Sequence, residues 1–325
     1  MFVDLPLDEL REYRPAIARP DDFAEFWTSE LAAARQFDPP AEFRPIDTPL
    51  AGIDVFDVTF PGYGGHPIRG WLLLPRQMAA DAPVVVEFVG YNGGRGDPLE
   101  WLLWAGTGHP HFVMDNRGQG GGWRGADTAD PADPGEPSSN GFLTKGIADP
   151  HRHYYVRLYV DAARAVDAVL AHGASAGRAV VTTGASQGGA LALAAASLHD
   201  RVAVVLPDVP FLSHPVRAVQ ITDAKPYGEL AEYCAVYPDR IERVFHTLSY
   251  FDVANHATRI RKPALFSVGL IDEITPPSTV FAAYNRISGE RPKEIIPYPF
   301  TGHQGGGIRQ HREKLRFLAR LDLTA

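Results

Sequence analysis

Cysteine is almost absent. Cys234 is the only one in 325 residues, so no internal disulfide can form, and a reducing compartment is compatible with that. A lone thiol is more often a small core residue than a nucleophile, and Cys234 is read as core. Basic charge is short as well. With 31 Lys and Arg against 39 Asp and Glu, the net charge is −8, which argues against a phosphate-binding face and so against a nucleic-acid partner. No run of five like charges marks a charged tail. No stretch approaches the roughly 20 apolar residues of a membrane span. Met1–Tyr13 is acidic and lacks the apolar segment of a secretion signal. The expectation is a soluble, cytoplasmic protein with no membrane partner.

What is present is ordinary globular composition, 45% hydrophobic and 22% charged, enough to build a core without covalent staples. Asp22 and Glu25 form a candidate capping box. Phe23, Phe26, Trp27, Leu31 and Ala34 then recur at helical spacing. This predicts an N-terminal helical extension over about residues 1–40, and otherwise a single domain over 1–325. Strand patterns follow at 54–60, 68–74, 84–89 and 111–115, the first two joined by a Gly/Pro-rich hairpin signal at 61–65. Residues 120–140 read as a long loop, and 155–170 as an amphipathic helix. Strand and helix then alternate: strands at 178–183, 202–206, 264–270 and 294–298, helices at 188–198, 278–287 and 307–321, with helical material over 227–248. That alternation predicts an α/β fold, a mostly parallel central sheet flanked by helices, with antiparallel strands at the N-terminal end.

Gly184-Ala185-Ser186-Gln187-Gly188 matches G-x-S-x-G. The pentapeptide alone is weak. Here a strand precedes it and an Ala/Leu-rich helix follows, which is the setting of the nucleophile elbow in the α/β-hydrolase fold. Ser186 is therefore the candidate nucleophile, the alternative being an incidental serine in a glycine-rich turn. A serine hydroxyl needs a base, and in this fold the order along the chain is Ser, acid, His. Asp208 and Asp272 both end strands; Glu273 is a minor competitor. Asp272 is favoured because the space between it and the histidine accommodates one helix and one strand. His303, one of 12 histidines, follows the last strand in a glycine-rich loop, while His246 and His256 precede the acid and His199 and His214 lie too near the serine. The oxyanion hole is assigned to the backbone N–H groups of Tyr91, in Gly90-Tyr91-Asn92-Gly93-Gly94, and of Gln187.

Other signals carry less. Gly120, Gly122 and Gly125 fit a dinucleotide fingerprint, but the residues after them cannot open the required helix. His109, His111, His151 and His153 lack accompanying ligands at metal spacing, so no metal and no cofactor is expected. Arg117-Gly118-Gln119 reads either as a substrate contact or as a buried structural arginine.

Together these motifs resemble the acetyl xylan esterase and cephalosporin-C deacetylase family, carbohydrate esterase family 7. The carriers are Gly90–Gly94, Arg117-Gly118-Gln119-Gly120, Gly141–Ile147, Gly184–Gly189, Asp272–Thr279 and His303-Gln304-Gly305-Gly306, spread over nearly the whole chain. The resemblance implies Ser186, Asp272 and His303 as triad and Tyr91 and Gln187 at the oxyanion hole. It also implies deacetylation of small acetylated carbohydrates such as xylo-oligosaccharides and of cephalosporin C, and a ring-like homo-hexamer. One departure is Gln304, where the family commonly has Glu after the histidine. Trp123 and Tyr227 are candidate walls of a small acyl pocket, plain core being the other reading of each. Two rival functions stay open: a hydrolase of the same fold with peptidase or long-chain lipase specificity, and a catalytically idle binding protein.

Overall fold

The computed structural model describes residues 3–37, 39–132 and 141–323. Its frame is one nine-stranded sheet in the order β1-β2-β3-β5-β4-β6-β7-β8-β9. The strands are β1 Glu42–Ile46, β2 Ile53–Pro61, β3 Pro67–Pro75, β4 Val84–Phe88, β5 His111–Met114, β6 Val180–Ala185, β7 Val202–Asp208, β8 Ala264–Gly269 and β9 Lys293–Tyr298. Strands β1, β2, β3 and β5 pair antiparallel in succession; from β5 through β4 to β9 every pairing is parallel. This is the α/β-hydrolase arrangement that the alternation of elements predicts. Strand β1, Glu-Phe-Arg-Pro-Ile, was not anticipated: it lies at the sheet edge, where a proline costs no ladder bond and little apolar surface is buried.

The helices are α1 Leu7–Glu12, α2 Phe23–Arg35, α3 Leu102–Gly106, α4 Tyr154–Ala171, α5 Gln187–Leu198, α6 Pro215–Ile221, α7 Tyr227–Val236, α8 Ile241–Ser249, α9 Val253–Ala257, α10 Pro277–Tyr284 and α11 Ile308–Ala319. Helix α2 buries the five apolar side chains that its spacing singles out, and Trp27 Nε1 donates to Tyr250 O at 3.1 Å. The capping box does not form. Asp22 makes no side-chain cap; its carboxylate accepts instead from the Tyr250 hydroxyl at 2.6 Å. The helical stretch over 227–248 breaks at Pro238, which starts a separate turn. Helices α1, α6 and α9, 5–7 residues each, are too short for periodicity to reveal. Within the anticipated loop over 120–140, residues 120–132 are irregular, and 133–140 lie outside the described residues.

The core has two unequal faces. Helices α4 and α5 cover one, with Tyr154, Tyr155, Leu158, Tyr159, Leu191 and Leu193 all fully buried. On the other, Val85, Val181, Val204 and Leu206 pack under Trp104, Phe317 and Leu318 of α3 and α11. Such two-sided burial explains why the parallel strands are near-continuous apolar runs. No helix among the described residues is long and apolar enough to cross a membrane.

Candidate active site

Strand β6 runs straight into α5 with Ser186 at the joint, at φ 57°, ψ −119°. A non-glycine residue holds such a backbone only when its surroundings over-determine it. Three bonds do so: Ser186 N–H donates to Asp208 O, and Ser186 O accepts from Ala190 and Phe211 N–H, each at 3.0 Å. The neighbouring glycines have a steric reason. A Cβ on Gly188 would stand 2.1 Å from Phe88 O, and one on Gly184 would stand 2.5 Å from the Gly188 carbonyl carbon. The serine side chain is thereby set above the sheet at the N-terminus of a helix whose free N–H groups face it.

A cavity of about 570 Å³ opens there, lined by Ser186, Tyr91, Trp123, Ile274 and His303 among others. His303 stands in the loop after β9. Its Nδ1 lies 2.9 Å from Asp272 Oδ2, with Asp272 fully buried and the His303 side chain 28% exposed. The carboxylate is met on every side. Ile274 and Thr275 N–H donate to Oδ1 at 2.8 and 3.0 Å, and the Thr275 hydroxyl donates to Oδ2 at 2.8 Å. Thr275 was not anticipated; the signal was an Asp followed at the third position by Thr, the pattern of a side chain capping its own turn.

The other two carboxylates considered for this role are engaged elsewhere. Asp208 pairs with Lys314, and Glu273 is exposed at the surface, its carbonyl accepting from Thr222. Gln304 is exposed beside His303.

The two assigned oxyanion donors sit on facing loops. Neither the Tyr91 N–H nor the Gln187 N–H has a hydrogen-bond acceptor among the described residues. Gln119 ties the two loops together. Its Oε1 accepts from Asn92 N–H at 2.8 Å, and its Nε2 donates to Gln187 Oε1 and to the Tyr154 hydroxyl, each at 2.9 Å. The Tyr155 hydroxyl also donates to Gln187 Oε1, at 2.9 Å. Asn116 Nδ2 holds the Tyr91 loop from below through the carbonyls of Val89, Gly90 and Gly93. The Tyr91 hydroxyl donates to Glu229 Oε2 at 2.8 Å and accepts from Phe142 N–H at 2.6 Å. Burial, and then the Glu229 charge, push the Tyr91 phenol well above its ordinary range, so it stays a neutral donor. Burial likewise raises the Glu229 carboxyl. Gln119, Asn116 and Glu229 were missed as supports, because single polar residues give no sign of what lies across a tertiary gap.

Arg117 is fully buried and bonds Asp161 through Nε at 2.5 Å and Nη2 at 2.7 Å. Its place is structural; Gln119 is the member of that motif nearer the site. Trp123 lines the cavity, 57% exposed, its Nε1 donating to Tyr91 O at 2.8 Å. Tyr227 does not. It is fully buried with its ring 4.7 Å from Phe211, and the wall it was expected to supply comes from Lys225 and Pro226. It is a core residue because the first turn of α7 points it inward. Among the paired histidines, His111 and His153 face the Trp101 and Leu143 carbonyls, and His151 faces Glu30. Cys234 is half-buried.

Comparison with known proteins identifies the family of the chain. The family model for acetyl xylan esterase (AXE1) matches residues 1–321. An acetyl xylan esterase from Paenibacillus sp. R4 is 39% identical, with 98% of this chain and 100% of that one covered and a TM-score of 0.89. Acetyl xylan esterase 1 from Thermoanaerobacterium sp. JW/SL YS485 is 32% identical over the same shares, with a TM-score of 0.87. Among curated proteins, the acetyl esterase Axe7A of Xylanibacter ruminicola is 27% identical over 303 residues, 89% of this chain. The chain spans 65% of that relative's length. The chain belongs to the acetyl xylan esterase family, a family of carboxylic ester hydrolases.

Proposed function

We propose that this chain removes acetyl groups from small acetylated carbohydrates, xylo-oligosaccharides foremost, through a Ser186–His303–Asp272 triad and an acetyl-enzyme intermediate. The observation that carries the reading is the cavity in which the strained serine and the histidine stand together, the histidine's far nitrogen bonded to a buried aspartate. Ser186 Oγ attacks the acetyl carbonyl while His303 Nε2 takes its proton. Asp272 fixes the tautomer and stabilises the imidazolium. The N–H groups of Tyr91 and Gln187 receive the oxyanion, each worth roughly 3 kcal/mol in the barrier. His303 returns the proton to the departing alkoxide, then activates the water that releases acetate. Cephalosporin C, an acetylated primary alcohol, is a second substrate under this mechanism.

The decisive measurement is acetate release from acetylated xylo-oligosaccharides, cephalosporin C and simple acetates by the protein and by Ser186→Ala. The variant is expected to lose roughly 10⁶-fold in kcat; turnover near that of the unaltered protein removes the nucleophile assignment. A preference for butyrate or longer acyl chains would favour the lipase alternative instead. The reading extends to a homo-oligomer, a ring-like hexamer by family resemblance. Phe300 and Ile308, 88% and 67% exposed beside the His303 loop, suit burial against another copy. A monomeric sedimentation profile would remove that part.

A further inference from the structure

The cavity has a second lining that the proposed reaction does not use. Under β4, β5 and α11 its walls are Glu87, His111, Leu103 and His311. Glu87 is the one charged residue of Val-Val-Val-Glu-Phe, the strand whose other four side chains are buried apolars. A carboxylate inside a parallel sheet costs stability unless its charge is met. Here its near neighbour is an imidazole: His111 Nε2 stands 2.9 Å from Glu87 Oε2, outside hydrogen-bond geometry, and the opposite ring nitrogen faces Trp101 O at 3.0 Å. Glu87 keeps 18% exposure. Across from it, His311 Nδ1 is buried with no hydrogen-bond partner among the described residues. A valine at 87 and a leucine at 311 would suit this face of the sheet, where Val85, Leu206 and Phe317 already pack.

The chemistry of these groups limits what they can take. An acetyl group has a methyl and an acceptor carbonyl, and a carboxylate offers neither of them a partner. A hydroxyl is a donor that a carboxylate accepts strongly, and an imidazole can bond the next hydroxyl in either sense. We infer that the Glu87–His111–His311 side of the cavity is a subsite for the alcohol portion of the ester, selecting polyhydroxylated alcohols such as pentoses over simple alcohols. The inference rests on the ester being cleaved at Ser186 in this cavity.

The test compares kcat/KM for a monoacetylated xylose with kcat/KM for methyl acetate, whose alcohol has nothing to place in the subsite. In Glu87→Gln and in His311→Gln the ratio of the two is expected to fall about tenfold or more, chiefly through KM for the sugar ester, because a site built to bond hydroxyls discriminates strongly when it is altered. Free xylose is expected to inhibit methyl acetate hydrolysis competitively, and less well in each variant. A ratio within about twofold of the starting value in both variants, with xylose inhibition unchanged, would mean a merely structural polar cluster and overturn the inference. If Glu87→Gln does not fold, His311→Gln decides alone, since His311 is only partly buried on the last helix. Failure of the underlying reading looks different: Ser186→Ala would then still hydrolyse methyl acetate, whatever the ratio.

Discussion

The ends of β7 and β8 are neighbours in the sheet, and each delivers a buried aspartate, yet the two acids have opposite surroundings. Asp208 meets the ammonium of Lys314, which also bonds Thr183. Asp272, three residues past the end of β8, meets two amide N–H groups, a hydroxyl and the ring of His303. A carboxylate whose partner is a buried lysine away from the cavity lining is a structural tie. One whose partner is a cavity-lining imidazole can respond as that imidazole gains a proton. Position at a strand end thus nominates an acid, and the partner decides its work.

The sharpest break of this comparison is Asp272→Asn. The amide cannot hold the imidazole in the working tautomer, and kcat is expected to fall roughly 10⁴-fold with the fold intact, read by steady-state kinetics alongside circular dichroism. The same experiment on the other acid should invert the pattern. Asp208→Ala leaves Lys314 buried and uncompensated, at a cost of about 3–5 kcal/mol in stability. Thermal unfolding should show that loss, while kcat of the folded fraction stays close to that of the unaltered protein. A large kcat loss in Asp208→Ala, with little change in Asp272→Asn, would reverse the assignment.

Imidazoles extend the contrast. His153 and His256 are fully buried, and burial lowers them to about 4 and about 3. Between roughly pH 6.5 and 4 the unfolded chain binds their protons and the folded chain does not, so stability falls as pH falls, by on the order of 3 kcal/mol each. Burial raises Asp252 to about 6. It takes up its proton earlier in the folded state and opposes the trend by a similar amount, so these three groups together leave a net loss of about 3 kcal/mol over this window; His214, also lowered by burial, acts in the same direction as the two histidines. Melting temperatures that did not decline from about pH 7 to about pH 4.5 would contradict this burial-based account. The smallest expected effect lies at the oxyanion loops. Gln119→Leu removes the tie between Asn92 and Gln187 and should lower kcat by about tenfold with little change in KM, a supporting role rather than direct contact with the reacting atoms.

Much of this was legible in the residues. The strand-to-helix setting of Ser186, the apolar parallel strands and the amphipathic 155–170 segment rest on local pattern, and the structure has all three. The failures are equally physical. Asp22 with Glu25 has the spelling of a capping box, but a tertiary partner, the Tyr250 hydroxyl, takes the carboxylate. Tyr227 looks like a pocket aromatic in one dimension and is core in three.

By itself the order of residues determined the elements and their succession, because hydrophobic periodicity, glycine and proline act within a few positions along the chain. It also nominated the serine, the acid and the histidine as types in sequence. Which aspartate meets the imidazole, which glutamine joins the two oxyanion loops, and which carboxylate faces the cavity from inside the sheet were decided by tertiary structure alone. Hydrogen bonds and charge pairs act over about 3 Å, and only folding brings residues 87 and 111, or 119 and 187, within that range.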